Sequence, residues 1–150
     1  MVIVPMEAVH AKGASILEEK NFSEPWSEKA FLEELTNPDS AAYYVALDGE
    51  KVVGTCGAII AGIEADIMNV SVDPDYRRMG IASKLLEATL EGARQKGVLD
   101  FTLEVRANNT AARGLYEKFG FVFEGIRPRF YRNPEEDAAI YWLRQKDNDN

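Results

Sequence analysis

The sequence has few of the residues that cross-link a fold or bind a metal. It contains one cysteine, Cys56, and one histidine, His10, in 150 residues. A single cysteine excludes an internal disulfide, and His10 has no Cys or His neighbour with which to hold a metal or assist a serine nucleophile. We therefore expect no metal site, a surface position for His10, and a core position for Cys56 inside a strand pattern.

Long apolar runs and an excess of positive charge are also missing. No stretch approaches the length of a membrane span, and the first five residues lack the basic segment and cleavage site of a leader peptide. Seventeen Lys and Arg against 25 Asp and Glu give a formal net charge of −8, which disfavours nucleic-acid binding. We expect a cytoplasmic protein that binds neither membrane nor nucleic acid. The negative charge is compatible with a basic acceptor protein.

What is present is an alternation of helix and strand patterns over residues 1–146, interpreted as one domain, before a polar tail at 147–150. We predict helices over about 8–20, 27–36, 81–96 and 109–120, with Val9, Ile16 and Leu17 facing inward in the first. Strands are predicted over about 43–47, 51–60, 64–72, 100–106, 121–124 and 138–143. Gly49 marks a hairpin turn between the first two strands.

Residues 69–82 are the most informative segment. An apolar strand pattern ends at Pro74, and a helix pattern begins at Ile81. The short loop between them contains Arg77, Arg78 and Gly80. Free N–H groups, the positive end of a helix dipole and two arginines together favour an anion such as a pyrophosphate. Taken alone, the pattern fits an ordinary basic loop equally well.

The order of these elements resembles the GNAT acetyltransferase superfamily, whose CoA-binding signature is Q/R-x-x-G-x-G/A. Arg77, Gly80 and Ala82 occupy its three fixed positions. Four other segments, 25–29, 103–106, 109–120 and 136–138, make the chain most similar to the RimI group, which acetylates the N-terminal alanine of a ribosomal protein. The resemblance implies an α/β GNAT fold, with a mixed, mostly antiparallel central sheet flanked by helices.

The resemblance also implies acetyl-CoA as co-substrate and a set of residues that contact it. In this superfamily a bulge in the strand before the loop frees main-chain groups for pantetheine and the acetyl oxygen. The expected cofactor-binding residues are Val70, Ser71, Val72, Arg77, Arg78, Met79, Gly80, Ile81, Ala82, Ser83 and Asn109.

Two residues are candidates for proton transfer. Glu104 lies in the segment where RimI-like enzymes place a general base, although its position also fits the exposed face of a strand. Tyr116 matches the tyrosine that protonates the leaving thiolate, although it also fits a core tyrosine. Trp26 and Tyr131 are expected near the peptide acceptor. Phe130 replaces the first tyrosine of a Tyr-Tyr pair that is common in relatives, and three arginines nearby are unusual for binding a basic peptide.

The predicted activity is transfer of acetyl from acetyl-CoA to the α-amine of an N-terminal alanine. Two alternatives remain open from the sequence. One is a GNAT enzyme for another amine, such as a lysine side chain, a polyamine or an antibiotic. The other is a non-catalytic acyl-CoA-binding module, which would need only the loop from Arg77 to Ala82.

Overall fold

The protein is described by a computed structural model that covers residues 1–68 and 70–145. Asn69 and the predicted polar tail lie outside the described residues. The strands are β1 (Val2–Pro5), β2 (Ala41–Asp48), β3 (Lys51–Ala61), β4 (Glu64–Ile67), β5 (Ser71–Val72), β6 (Asp100–Arg106), β7 (Val122–Tyr131) and β8 (Glu136–Leu143). The helices are α1 (Ala11–Asn21), α2 (Glu28–Leu35), α3 (Ile81–Gln95) and α4 (Thr110–Lys118).

The strands form one mixed sheet in the order β1-β2-β3-β4-β6-β8-β7, with β5 paired to β3. The pair β4–β6 is parallel, and the other pairs are antiparallel. This is the predicted GNAT fold, and the predicted fold class is confirmed. No helix in the described part of the chain is long and apolar enough to cross a membrane.

Hydrophobic side chains are buried on both faces of the sheet. The larger core lies under α3 and α4 and includes Leu85, Phe101 and Leu103, while the smaller one lies under α1 and α2 and includes Leu17 and Phe31. Cys56 is 1% exposed, and burial raises the pKa of its thiol to about 12. Its predicted place in the core is confirmed, and a thiolate nucleophile is disfavoured.

Two local predictions need correction. Val9 and Ile16 do not face inward: they are 81% and 50% exposed, because α1 buries a stripe of Ala11, Ala14, Leu17 and Glu18 instead. A first strand, β1, lies where none was predicted. His10 is partly exposed, in agreement with its predicted surface position, and its Nδ1 accepts a hydrogen bond from the main-chain N–H of Glu7 at 2.9 Å.

The strand predicted to end at Glu124 runs to Tyr131. Gly125 and Pro128 argue against a strand, since proline cannot donate to a ladder. However, β7 is an edge strand, and its pairing with β8 is irregular between Phe123 and Gly125 and between Arg127 and Tyr131. These irregularities accommodate both residues, so residues 125–131, which were predicted to lie outside any strand, form the second part of β7.

Candidate active site

The central sheet opens between β5 and β6. Strand β4 pairs with β6 only as far as Asp66 and Thr102, beyond which β5 pairs with β3 while β6 pairs with β8. Asp73 donates its N–H to the carbonyl of Val53 at 2.8 Å, so the alternation of an antiparallel ladder turns the main chain of Val72 toward the opening. The predicted strand over 64–72 is therefore interrupted, and its end presents main-chain groups that β6 does not pair.

A cleft of about 470 Å³ lies at this opening. Nine of the eleven predicted cofactor-binding residues line it. They are Val70, Val72, Arg77, Arg78, Gly80, Ile81, Ala82, Ser83 and Asn109. Ser71 is buried and Met79 is 56% exposed, and neither is among the lining residues. Tyr116 lines the same cleft. Tertiary structure thus brings the loop, the strand end and α4 together around one space.

The N-terminus of α3 faces this cleft. The first hydrogen bond within α3 is donated by Lys84 to the carbonyl of Gly80, at 3.2 Å. The N–H groups of Ile81, Ala82 and Ser83 precede it and have no acceptor inside the helix. Gly80 has a φ of 76°, and a Cβ there would meet no protein atom within 4 Å. These features together suit a phosphate that approaches the backbone closely.

The buried carboxylate of Asp73 anchors the start of the loop before α3. Asp73, whose side chain is 2% exposed, accepts a hydrogen bond from the N–H of Asp75 at 2.9 Å and pairs with Lys20 Nζ at 3.1 Å. The hydrogen bond from Asp75 and the two lysines nearby, Lys20 and Lys51, lower the pKa of Asp73. The loop therefore begins at a fixed point in the sheet.

Helix α4 supplies two of the predicted residues. Asn109 caps it, because its Oδ1 accepts the N–H of Ala112 at 3.1 Å. Tyr116 is 4% exposed and packs against Phe121, with ring centroids 5.8 Å apart. Burial raises the pKa of Tyr116 well above its ordinary value, partly opposed by a hydrogen bond with the main chain of Val70. A proton therefore stays on the phenol at neutral pH, beside the open end of the strand.

Glu104 lies mid-strand on β6, opposite Ile140 of β8. Its side chain is 29% exposed, and its Oε2 lies 3.5 Å from Nη1 of Arg127 on β7. Glu104 shares its sheet face with Thr102 and Arg106, while Leu103 and Val105 enter the core that contains Tyr116. Glu104 and Tyr116 thus lie on opposite faces of the sheet at β6. Glu104 is not among the residues that line the first cleft.

A second cleft, of about 410 Å³, adjoins the first and shares Asn21, Phe22 and Asn109 with it. Tyr131 lines it, as do Ser23, Glu24, Val105, Arg106, Phe130 and Arg132. The guanidinium of Arg106 stacks 4.5 Å over the ring of Tyr131. Burial and the nearby carboxylate of Glu104 raise the pKa of Tyr131 to about 12, although Arg106 acts in the opposite direction.

Trp26 lines neither of these two clefts. Its ring packs against Phe31 and Tyr43, at centroid distances of 5.3 and 5.9 Å, and its main-chain N–H donates to the buried carboxylate of Glu18 at 3.1 Å. Desolvation raises the pKa of Glu18. Trp26 therefore anchors the segment between α1 and α2, and the residues just before it, not those after it, reach the second cleft.

The arginines of β7 are largely neutralised by nearby acids. Arg127 pairs with Glu104, and Arg129 lies 3.9 Å from Glu135. The N–H of Arg129 also donates to Asp137 at 3.0 Å. Two of the three arginines that the sequence places near Tyr131 are therefore paired with acids, and neither of these two lines the second cleft.

Two residues with evident roles were not predicted from the sequence. Arg106 donates to the carbonyls of Pro134 and Arg132, at 2.9 and 3.0 Å, and so orders the turn that follows Tyr131. Its place in the Leu-Glu-Val-Arg segment was the available signal. Asn21 at the end of α1 accepts a hydrogen bond from Arg77 in the loop before α3, and nothing in the local sequence indicated that contact.

Comparison with known proteins agrees with the family resemblance found in the sequence. A sequence model described as "Acetyltransferase (GNAT) family" matches residues 13–121. The ribosomal protein bS18-alanine N-acetyltransferase of Escherichia coli K12 is 33% identical over 143 residues, which cover 94% of this chain and 95% of that one. The N-alpha-acetyltransferase RimI of Mycobacterium tuberculosis is 37% identical over 130 residues, covering 84% and 78%.

A solved structure agrees with both relatives. The crystal structure of the ribosomal-protein-S18-alanine N-acetyltransferase from Escherichia coli superposes with a TM-score of 0.86 at 32% identity, covering 99% of this chain and 97% of the other. The family match, the relatives and the shared fold lead to one conclusion: the chain belongs to the GNAT family and is an acetyl-CoA-dependent N-acetyltransferase.

Proposed function

We propose that this enzyme acetylates the α-amine of an N-terminal alanine, on a small-subunit ribosomal protein, in the cytoplasm. The observation that carries the proposal is the similarity to the Escherichia coli bS18-alanine N-acetyltransferase over nearly the full length of both chains. The second cleft adds support, because it gives an extended acceptor a route to the first cleft.

We further propose that acetyl-CoA binds in the first cleft, with its pyrophosphate at the N-terminus of α3. Support comes from the free N–H groups of Ile81, Ala82 and Ser83, the arginines of the loop and the open space at Gly80. Acetyl-CoA supplies a thioester that an amine can attack directly. Cys56, the only cysteine, is buried with a raised pKa, which argues against a thioester formed on the enzyme.

Glu104 is our proposed base and Tyr116 our proposed acid. An α-ammonium with a pKa near 8 must lose a proton before it can attack, and a carboxylate can take that proton directly or through a water. The departing thiolate needs a proton, which a neutral phenol can give. The positions of Glu104 and Tyr116 on opposite sides of β6 fit an acetyl group that enters the sheet opening, with amine and leaving group on opposite sides.

The ion pair with Arg127 has a consequence for the acceptor. The guanidinium of Arg127 is the counter-ion of Glu104, with Nη1 3.5 Å from Oε2. An incoming α-ammonium carries the same charge and competes for the same carboxylate. We propose that Arg127, which is half-exposed, moves toward solvent as the acceptor binds.

The test of the cofactor site is a small side chain at Gly80. We expect Gly80→Ala to weaken acetyl-CoA binding about tenfold to a hundredfold, because its Cβ enters the space of the phosphate and disturbs about one charge-assisted hydrogen bond, which is worth about 1.5–3 kcal/mol. Calorimetric titration with acetyl-CoA measures the change. The larger Gly80→Val should bind more weakly still.

Gly62→Ala is the matched control for backbone strain. Gly62 has a φ of 66°, and its Cβ would also meet nothing within 4 Å, but it lies in the β3–β4 turn. Both variants carry the cost of an alanine in the left-handed region, about 1–2 kcal/mol. Equal affinities of the two variants for acetyl-CoA would remove the Gly80 loop from the cofactor site.

The test of the acceptor class compares α- and ε-amines on one peptide. A lysine ε-amine has a pKa near 10.4, so at neutral pH it is harder to deprotonate by about a hundredfold or more than an α-amine, and its flexible stem is harder to position. We expect kcat/KM for a peptide that begins with alanine to exceed, by at least that factor, the value for the same peptide with a blocked N-terminus and an internal lysine.

Mass spectrometry of ribosomal-protein N-termini, with and without the gene, identifies the physiological acceptor. One small-subunit protein should lose the acetyl group on its N-terminal alanine when the gene is deleted. Equal rates on α- and ε-amines in vitro, or faster transfer to a polyamine, would contradict the proposal and leave an acetyltransferase for another amine.

A further inference from the structure

Asn21, the last residue of α1, bridges three parts of the cofactor cleft. Its Nδ2 donates to Oγ of Ser71 at 2.7 Å and to the carbonyl of Val72 at 3.1 Å. Its Oδ1 accepts a hydrogen bond from Nη2 of Arg77 at 3.0 Å. One amide thus connects the end of a helix, the open end of β5 and the first fixed position of the CoA-binding signature.

The three partners determine how the amide is oriented. The carbonyl of Val72 can only accept a hydrogen bond, and the guanidinium of Arg77 can only donate. Rotating the amide by 180° would place a donor against Arg77 and an acceptor against Val72. Only one orientation satisfies both partners, so the amide is a specific bridge between them.

The hydrogen bond to Asn21 restrains the side chain of Arg77, which lies on a short loop. Arg77 lies at the end of a short turn that begins at Pro74, and its neighbour Arg78 has a φ of 66°. An arginine on such a loop has many rotamers available, and holding one of them costs conformational entropy. The hydrogen bond that Arg77 donates to Asn21 selects one rotamer at the first cleft.

We propose that Asn21 is a positioning residue that orients Arg77 for the cofactor and fixes the loop to β5. Its effect on acetyl-CoA is exerted through Arg77 and not through α1 alone. The proposal concerns the cofactor half of the site, so it does not depend on which amine is acetylated. It assigns a positioning role to a residue of α1, a helix that contains no part of the CoA-binding signature.

A double-mutant cycle tests the proposal. Calorimetry with CoA is performed on the wild type, Asn21→Ala, Arg77→Ala and the double variant. We expect Asn21→Ala to raise the Kd for CoA about threefold to tenfold, the range of about one hydrogen bond. In the Arg77→Ala background, the same substitution should change Kd less than twofold, since the residue through which it acts is gone.

Steady-state kinetics separates positioning from damage to the fold. Asn21→Ala should raise KM for acetyl-CoA and leave kcat at saturation within about threefold, since Glu104 and Tyr116 make no described hydrogen bond with it. Asn37→Ala is the control, because Asn37 follows α2 and its described hydrogen bonds use only its main chain: its N–H donates to the carbonyl of Glu34, and its carbonyl accepts from Ser40. It should change neither constant.

Two results would overturn the proposal. If Asn21→Ala costs the same affinity with and without Arg77, Asn21 does not act through that arginine. If Kd is unchanged while the melting temperature falls, Asn21 only holds α1 against the sheet.

Discussion

Glu104→Gln is expected to lower kcat by about 10²–10⁴ at neutral pH, while leaving acetyl-CoA affinity unchanged. Glutamine keeps the size and hydrogen-bonding capacity of the side chain but cannot accept the proton of the α-ammonium. Because solvent must then deprotonate the amine, the residual rate should rise about tenfold per pH unit until the pKa of the amine, near 8, is passed. Steady-state kinetics between pH 6 and 9 measures both effects.

Glu135→Gln controls for the loss of an ion pair. Glu135 lies 3.9 Å from Arg129, as Glu104 lies 3.5 Å from Arg127, so each substitution removes one partly exposed pair with an arginine of β7. Such pairs contribute about 0–1 kcal/mol. The control should therefore keep wild-type turnover. Turnover of Glu104→Gln within a few-fold of wild type would show that another group, or water, removes the proton.

Tyr116→Phe is the second large expected effect, a fall in kcat of about 10²–10⁴ if the phenol protonates the leaving thiolate. Burial raises the pKa of Tyr116, so the hydroxyl stays protonated through neutral pH and remains available as an acid. Since the phenol ionises only above its ordinary pKa of about 10, Tyr116 should not produce a fall in the wild-type rate between pH 7 and 9. Single-turnover transfer from acetyl-CoA measures the chemical step.

Tyr43→Phe is the matched control for Tyr116. Tyr43 is also a buried tyrosine, and within the described part of the chain its hydroxyl has no hydrogen-bond partner. Deleting that hydroxyl should leave turnover intact and should not lower stability, because a buried polar atom without a partner costs free energy. A Tyr116→Phe enzyme as active as Tyr43→Phe would mean that the thiolate leaves without this acid.

The loop at the first cleft could be predicted because the elements that form it are local in sequence. The strand, loop and helix are consecutive, and the signature needs only Arg77, Gly80 and Ala82 at fixed spacing. A helix N-terminus can bind anions through its own backbone, so a short-range pattern was enough to select this loop; that the cofactor binds there stays a prediction. Asn109 caps α4 through a local interaction of the same kind.

The second cleft could not be predicted, because distant segments form it. Phe22, Ser23 and Glu24 line it together with Tyr131 and Arg132, and no local pattern relates the two segments. Trp26 stays a predicted acceptor residue, although its ring packs against Phe31 and Tyr43. Large aromatic side chains gain most free energy where they are buried, and the place of that burial depends on the whole fold.

The sequence by itself determined the family, the order of most elements and the N-terminus of α3, because hydrophobic periodicity, turns and a short motif act over a few residues. Only the tertiary structure decided which strands separate, that β7 continues past Pro128, and that α1 buries alanines and Glu18 rather than Val9 and Ile16. It also decided that Asn21 meets Arg77, 56 positions further along the chain. These outcomes depend on packing between segments that are far apart in sequence, and such contacts leave no local pattern.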